Sequence, residues 1–150
     1  MRSNRGTPLA RSNEAVSPIR FGLSGRRHSG DVMYTISRRF AFSASHIIGG
    51  LAPDHPCGRL HGHNYEVEVT LCAAQLDAVG FVRDFHELSQ LQDFIMTTLD
   101  HRHLNDVLGH DRTTSEVISH WLYDWCKARW PEVIAVRASE TPDSWAEYRP

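Results

Sequence analysis

No uncharged apolar run in this chain approaches the roughly 18 residues that a membrane span needs. Its 41% hydrophobic and 23% charged content is ordinary for a soluble globular protein, so no membrane partner is expected. Cysteine is scarce: Cys57, Cys72 and Cys126 are odd in number and no secretory signal precedes them. That argues against a disulfide framework and for free thiols in a reducing, cytoplasmic compartment. Basic charge is short where a nucleic-acid surface would need it. Residues 33–150 carry 10 Lys and Arg against 16 Asp and Glu, net −6. A body this acidic does not favour the positive face that neutralises phosphates, so no nucleic-acid partner is expected, and any anionic ligand must be caught by a local cluster. No internal repeat is found, and 150 residues suit one domain rather than two.

Residues 1–32 differ from the rest. Six Arg face only Glu14 and Asp31, net +4, among many Ser, Gly and Pro, with no periodic apolar face. Such a segment buries too little surface to offset the entropy of ordering, and is expected to be a disordered leader. An Arg- and Ser-rich, acid-poor leader also has the composition of an organellar transit peptide. The simpler reading is adopted: the folded domain is 33–150, and the leader is a dispensable tail or a spurious upstream start.

From Tyr34 to His46 the pattern has period two, with Tyr34, Ile36, Phe40, Phe42, Ala44 and His46 on one parity, which predicts a half-buried strand. The Gly- and Pro-rich loop GGLAPDHPCGR follows. Alternation resumes with His61, His63, Tyr65, Val67, Val69 and Leu71 on one face, a second strand expected to pair antiparallel with the first. A turn leads to FVRDF, read as a short third strand. Leu88, Leu91, Ile95 and Leu99 then recur at helical spacing and predict a helix over about 86–99. DHRHLND reads as a loop. A second helix is expected to begin near TTSE, with Thr113 and Glu116 as a capping box, and to end before Pro131. VIAVRASE and WAEY read as strands joined by the turn TPDS. The fold class is α+β.

The stretch CGRLHGHNY, residues 57–65, carries the chemistry. Two apart on a strand, His61 and His63 project the same way, and Gly62 between them leaves the backbone unobstructed. His46 ends the neighbouring strand on its apolar face, so antiparallel pairing would bring a third imidazole to the same point. Three His with an open position describe catalytic zinc, whereas structural zinc usually closes its set with Cys. Cys57, four residues before His61, can reach either the metal or something bound to it, and spacing leaves both roles open. A thiol beside a cation would have a lowered pKa, suiting a base or nucleophile. Asp100 and His101 adjoin in a loop, where an Asp can orient or charge-stabilise a His. Glu140 closes a strand on its core parity, a costly place for a carboxylate unless it binds something donor-rich. His28, His55, His86, His103, His110 and His120 have no comparable partners and read as surface residues, while Cys72 and Cys126 read as inert.

Taken in order, FSASH, CGRLHGHNY, VRDF, LDHRHLN, TSE and SETPDSWAEY resemble the 6-pyruvoyltetrahydropterin synthase family over about 34–149, and within it the 6-carboxytetrahydropterin synthase branch of queuosine biosynthesis. The three residues between Cys57 and His61 match that branch, pyruvoyl synthases usually having a longer insertion. The resemblance implies a tunnelling fold, an antiparallel sheet with two helices on one face, assembled as a homohexamer or other homo-oligomer into a barrel with active sites at subunit interfaces. It implies a lyase acting on the small-molecule pterin 7,8-dihydroneopterin triphosphate. His46, His61 and His63 would bind one Zn2+ per subunit, Cys57 would accept a proton, and Asp100 and His101 would relay protons. Glu140 would anchor the amino-pyrimidine edge by paired hydrogen bonds. Thr114, Ser115 and Arg59 would be further substrate contacts, with Arg59 and Arg102 offered to the triphosphate. Where the family has Pro-Thr-Ser-Glu, this chain has Thr113-Thr114-Ser115-Glu116.

Overall fold

The computed structural model describes residues 33–150; the expected leader, 1–32, lies outside the described residues. Strand β1 (Tyr34–His46) is followed by a loop with a single 3-10 turn at Pro56–Gly58, then β2 (His61–Ala73). Helix α1 (Ser89–Thr98), β3 (Arg102–His103), α2 (Leu104–Leu108), α3 (Ser115–Lys127), β4 (Val133–Thr141) and β5 (Ser144–Tyr148) complete the order. The strands form one sheet in the order β3-β1-β2-β4-β5. It is antiparallel except where β3 joins β1 in parallel, at Ala44 with Arg102 and Ser45 with His103. Among the described residues no helix is long and apolar enough to cross a membrane.

The period-two pattern sorts the sheet as expected. Phe40, Phe42, Tyr65, Val67, Val69 and Leu71 are buried in the same cluster as Leu91, Ile95 and Leu99, and as Ile118, Leu122 and Cys126 of α3. Each large side chain taken fully out of water there contributes about 1.5–3 kcal/mol. The helices thus cover one sheet face. Ser43, Arg39, Asn64 and Glu68 carry the other parity, where Arg39 binds Glu68 at 2.7 Å across the ladder.

Three expectations fail locally. FVRDF is not a strand: residues 81–88 run through bends and turns into α1. Phe81 and Phe85 stay 45% and 50% exposed, with no partner strand to reward extension. DHRHLND is not a plain loop, since it contains β3 and starts α2, formed by long-range pairing with β1. The capping box is absent too. Thr114, not Thr113, is the residue before α3, it caps without a side-chain bond to the backbone, and Thr113 is buried instead.

Candidate active site

The register places the histidines. β1 and β2 pair without interruption from Tyr34 with Ala73 to His46 with His61, so the last rung of the ladder carries two imidazoles and the rung of Ala44 carries His63. Gly62 between them pairs with Ser45, and a Cβ there would lie 2.8 Å from the Ala44 carbonyl oxygen. Only glycine lets the two strands close at this point.

Each ring is held by its own partner. The Nδ1–H of fully buried His46 donates to the Thr113 carbonyl at 2.9 Å. The Nδ1–H of His61 donates to the Arg59 carbonyl at 2.8 Å. A carbonyl can only accept, so these bonds fix the tautomers and leave both Nε2 atoms as acceptors. Those two Nε2 atoms are nevertheless 3.0 Å apart. Two lone pairs facing at that distance repel unless a cation lies between them. The Nε2 of His63 is buried with no hydrogen-bond partner and stands 3.9 Å from a Glu140 carboxylate oxygen. The three ligand atoms lie within 4.8 Å of one another, so this group could hold a metal ion. Two nitrogens about 2.05 Å from a tetrahedral zinc stand about 3.3 Å apart, so the donor set fits. Burial holds His46 below the ordinary imidazole pKa, against the opposing pull of the Thr113 carbonyl and Glu140, so the ring stays neutral as a ligand must.

The remaining residues of interest surround this centre without all meeting. Cys57, in the 3-10 turn, is outside the three-imidazole group but lines a cavity of about 420 Å³ with Arg59, His61 and His63. Its carbonyl accepts from Ile48 N–H at 2.9 Å, tying the loop to the end of β1. Glu140, Thr114 and Ser115 line a second cavity of about 300 Å³. His101 lines a third, of about 500 Å³ on the helix-free side of β1 and β2, with Ser45, Asn64, Arg102 and His103. His63 borders both the first and the third.

Asp100 and His101 form a true pair. Asp100 Oδ1 accepts from Ser43 N–H at 2.9 Å and Oδ2 from His101 Nδ1 at 2.6 Å. The Ser43 N–H, then His101, hold the Asp100 carboxyl below the usual carboxylate range. His101 N–H donates to the Ser43 carbonyl, and the residue takes φ +55°, among the described residues the sole positive φ outside glycine. This unfavourable backbone leaves the His101 ring 81% exposed while it holds the Asp100 contact.

Sequence reasoning missed two residues here. Thr113 was read as a helix cap, yet it seats His46 through its carbonyl, a contact that no side-chain pattern reveals. Tyr65, placed by alternation on the face of His61 and His63 but given no role, packs its ring edge-on to His46 and His63 at 5.9 and 5.6 Å and stacks on Phe42 at 4.9 Å, and its hydroxyl is buried without a partner. The HxHxY alternation was its available signal. His103 is less peripheral than expected, its Nδ1 lying 3.2 Å from Ser45 Oγ, and Cys126 is fully buried on α3, which pushes its thiol up to about 12.

A sheet backed by helices, with three converging imidazoles at the end of its central ladder and a thiol, an Asp–His pair and a carboxylate around them, describes a metal-capable centre ringed by titratable groups. The sequence profile of the 6-pyruvoyl tetrahydropterin synthase family matches residues 35–150, and the chain is an enzyme belonging to that family. It is 35% identical over 124 residues to 6-carboxy-5,6,7,8-tetrahydropterin synthase of Synechocystis sp., covering 77% of this chain and 93% of the relative. The enzyme of that name from Bacillus subtilis is 32% identical over 129 residues, covering 78% and 86%. The solved structure of Caenorhabditis elegans 6-pyruvoyl tetrahydropterin synthase superposes with TM-score 0.69 at 25% identity, covering 79% of this chain and 96% of that one. The tunnelling-fold expectation is met for the single chain, with a mixed rather than wholly antiparallel sheet and a third, short helix.

Proposed function

We propose that this enzyme converts 7,8-dihydroneopterin triphosphate to 6-carboxy-5,6,7,8-tetrahydropterin with release of acetaldehyde and triphosphate, in queuosine biosynthesis in the cytoplasm. The observation that carries the metal-assisted part is the convergence of three imidazole Nε2 atoms, two of them with tautomers fixed as acceptors. The carboxy branch is supported by the short Cys57-to-His61 spacing and by the names of the Synechocystis and Bacillus relatives. Zinc held by His46, His61 and His63 would supply a Lewis acid for the side-chain oxygens of the substrate, acidifying the neighbouring C–H.

Cys57, on the wall of the cavity that His61 and His63 share, takes that proton. His101, charge-stabilised by Asp100, carries protons to and from oxygen. Glu140 accepts two hydrogen bonds from the amino-pyrimidine edge, with Thr114 and Ser115 beside it in the same cavity. Arg59, on the wall of the same cavity as Cys57, is the contact offered to the phosphates.

The site is completed in a homo-oligomer, with a hexamer the first expectation. Two features support this. Cys57 and His101 line different cavities of one chain. The outer edge of β1 from Tyr34 to Phe42 and that of β5 have no partner strand among the described residues, leaving rows of N–H and C=O groups for another copy. Residues 33–150 constitute the catalytic domain, and 1–32 a leader it does not require.

Incubation of the purified, zinc-loaded protein with dihydroneopterin triphosphate tests the reading: acetaldehyde and triphosphate are expected together. Triphosphate without acetaldehyde would assign the pyruvoyl synthase reaction, the alternative that the fold match to the C. elegans enzyme favours. Zinc binding with neither product would make the chain a non-catalytic member of the fold.

A further inference from the structure

Among the polar residues of LDHRHLN to which the site above gives no task is Asn105. It lies in the first turn of α2, and its amide makes two hydrogen bonds to one residue of another element. Asn105 Oδ1 accepts from Ile47 N–H at 2.9 Å, and Nδ2 donates to the Ile47 carbonyl at 2.8 Å. Ile47 is the residue after His46, where β1 has left the sheet. On this side the backbone pairing with β3 stops at Ser45, and on the other the ladder with β2 stops at His46 itself. Without Asn105, the backbone just beyond the buried imidazole would have neither its donor nor its acceptor engaged by a strand.

We propose that Asn105 is a positioning residue for the metal: it acts as one more rung of the sheet, pinning Ile47 so that His46 reaches the centre from a backbone fixed on both sides. This inference rests on the reading of His46, His61 and His63 as metal ligands. The ring of His46 is held at one end by the Thr113 carbonyl, and Thr113 Oγ1 lies 3.4 Å from the same Ile47 carbonyl, so α2 and the segment before α3 converge on this strand end. A ligand is useful only if its nitrogen is held to a few tenths of an ångström. A loose Cα at residue 46 would swing the nitrogen through a larger arc than that. The clamp requires a side chain of this length with both a donor and an acceptor, which asparagine has and aspartate lacks.

The test uses the full chain in wild-type, Asn105→Asp and Asn105→Ala forms. Zinc affinity is read by competition with a chromogenic chelator, and ligand geometry by the visible absorption of the cobalt(II)-loaded protein, with circular dichroism to establish folding. Both Asn105 variants are expected to bind zinc about 10- to 100-fold more weakly, the usual range for groups that orient a ligand, and to shift the cobalt bands. If Asn105→Ala fails to fold, Asn105→Asp, which retains the acceptor half of the clamp, decides. Folded Asn105 variants with wild-type affinity and cobalt spectrum would overturn the proposal, even with a lowered melting temperature, because a merely structural residue behaves that way. A wild-type chain that takes up no zinc would overturn the metal reading itself.

Discussion

Replacing Gly62 by alanine adds one methyl group at the place where the site is tightest. The new Cβ would stand 2.8 Å from the Ala44 carbonyl oxygen and 3.5 Å from the Ala44 carbonyl carbon and Ser45 Cα. Unstrained carbon–oxygen contacts lie several tenths of an ångström further out, and the atoms met are backbone, which cannot rotate aside. The rungs on either side, His46 with His61 and Ala44 with His63, hold the ladder shut, so relief requires β1 and β2 to move apart across the ligands. Forcing a methyl group into such a contact costs about 1–3 kcal/mol. In a domain of this size that lowers Tm by roughly 3–12 °C. The same displacement, a few tenths of an ångström, equals the tolerance of a metal–nitrogen distance, so zinc affinity should fall by about tenfold or more in parallel. Differential scanning calorimetry of the metal-free protein gives the first quantity and chelator competition the second. Gly62→Ala with wild-type Tm and wild-type affinity would refute the steric argument. A lowered Tm with unchanged affinity would show that the strands give way at a point that does not move the imidazoles.

Two further outcomes separate ligand from chemistry. His63→Ala should lose zinc well beyond the 10- to 100-fold typical of groups that only orient a ligand, whereas Cys57→Ser should retain about one zinc per chain by elemental analysis while activity falls about 100-fold or more; equal zinc loss in both would make Cys57 a ligand. Asp100, held below its ordinary 3.8 by Ser43 N–H and then His101, stabilises the fold above that value, and the contribution is lost as pH falls through the still lower folded value. Asp100→Asn should therefore flatten the decline of the urea midpoint with pH below about 4; a variant that declines as steeply as wild type would show that other carboxyls carry the acid limb.

Much of the site is legible along the chain because its three histidines lie on strands. A period of two settles that His61, His63 and Tyr65 share a face and that His46 falls on the core parity of its own strand, since alternation is local backbone geometry. The antiparallel ladder expected from these patterns then follows from the tight apolar match of the two strands. The helices of the core were legible for the same reason, their apolar spacing at three and four being local.

What failed depended on distant partners. FVRDF has strand-like composition, but no neighbouring edge meets it, so it stays in turns; RH has none, and becomes β3 because β1 offers Ala44 and Ser45 alongside. Thr113 and Glu116 have capping-box spacing, yet the helix starts one residue later because the Thr113 carbonyl is drawn to His46 Nδ1 at 2.9 Å. Residue types and parity picked out the candidate side chains for the chemistry. Which carbonyl fixes each imidazole tautomer, which side chain meets the Ile47 backbone, and which cavities Cys57 and His101 line were decided only by tertiary structure, because backbone groups carry no residue-specific signal and contacts between residues far apart in the chain depend on where the fold places them.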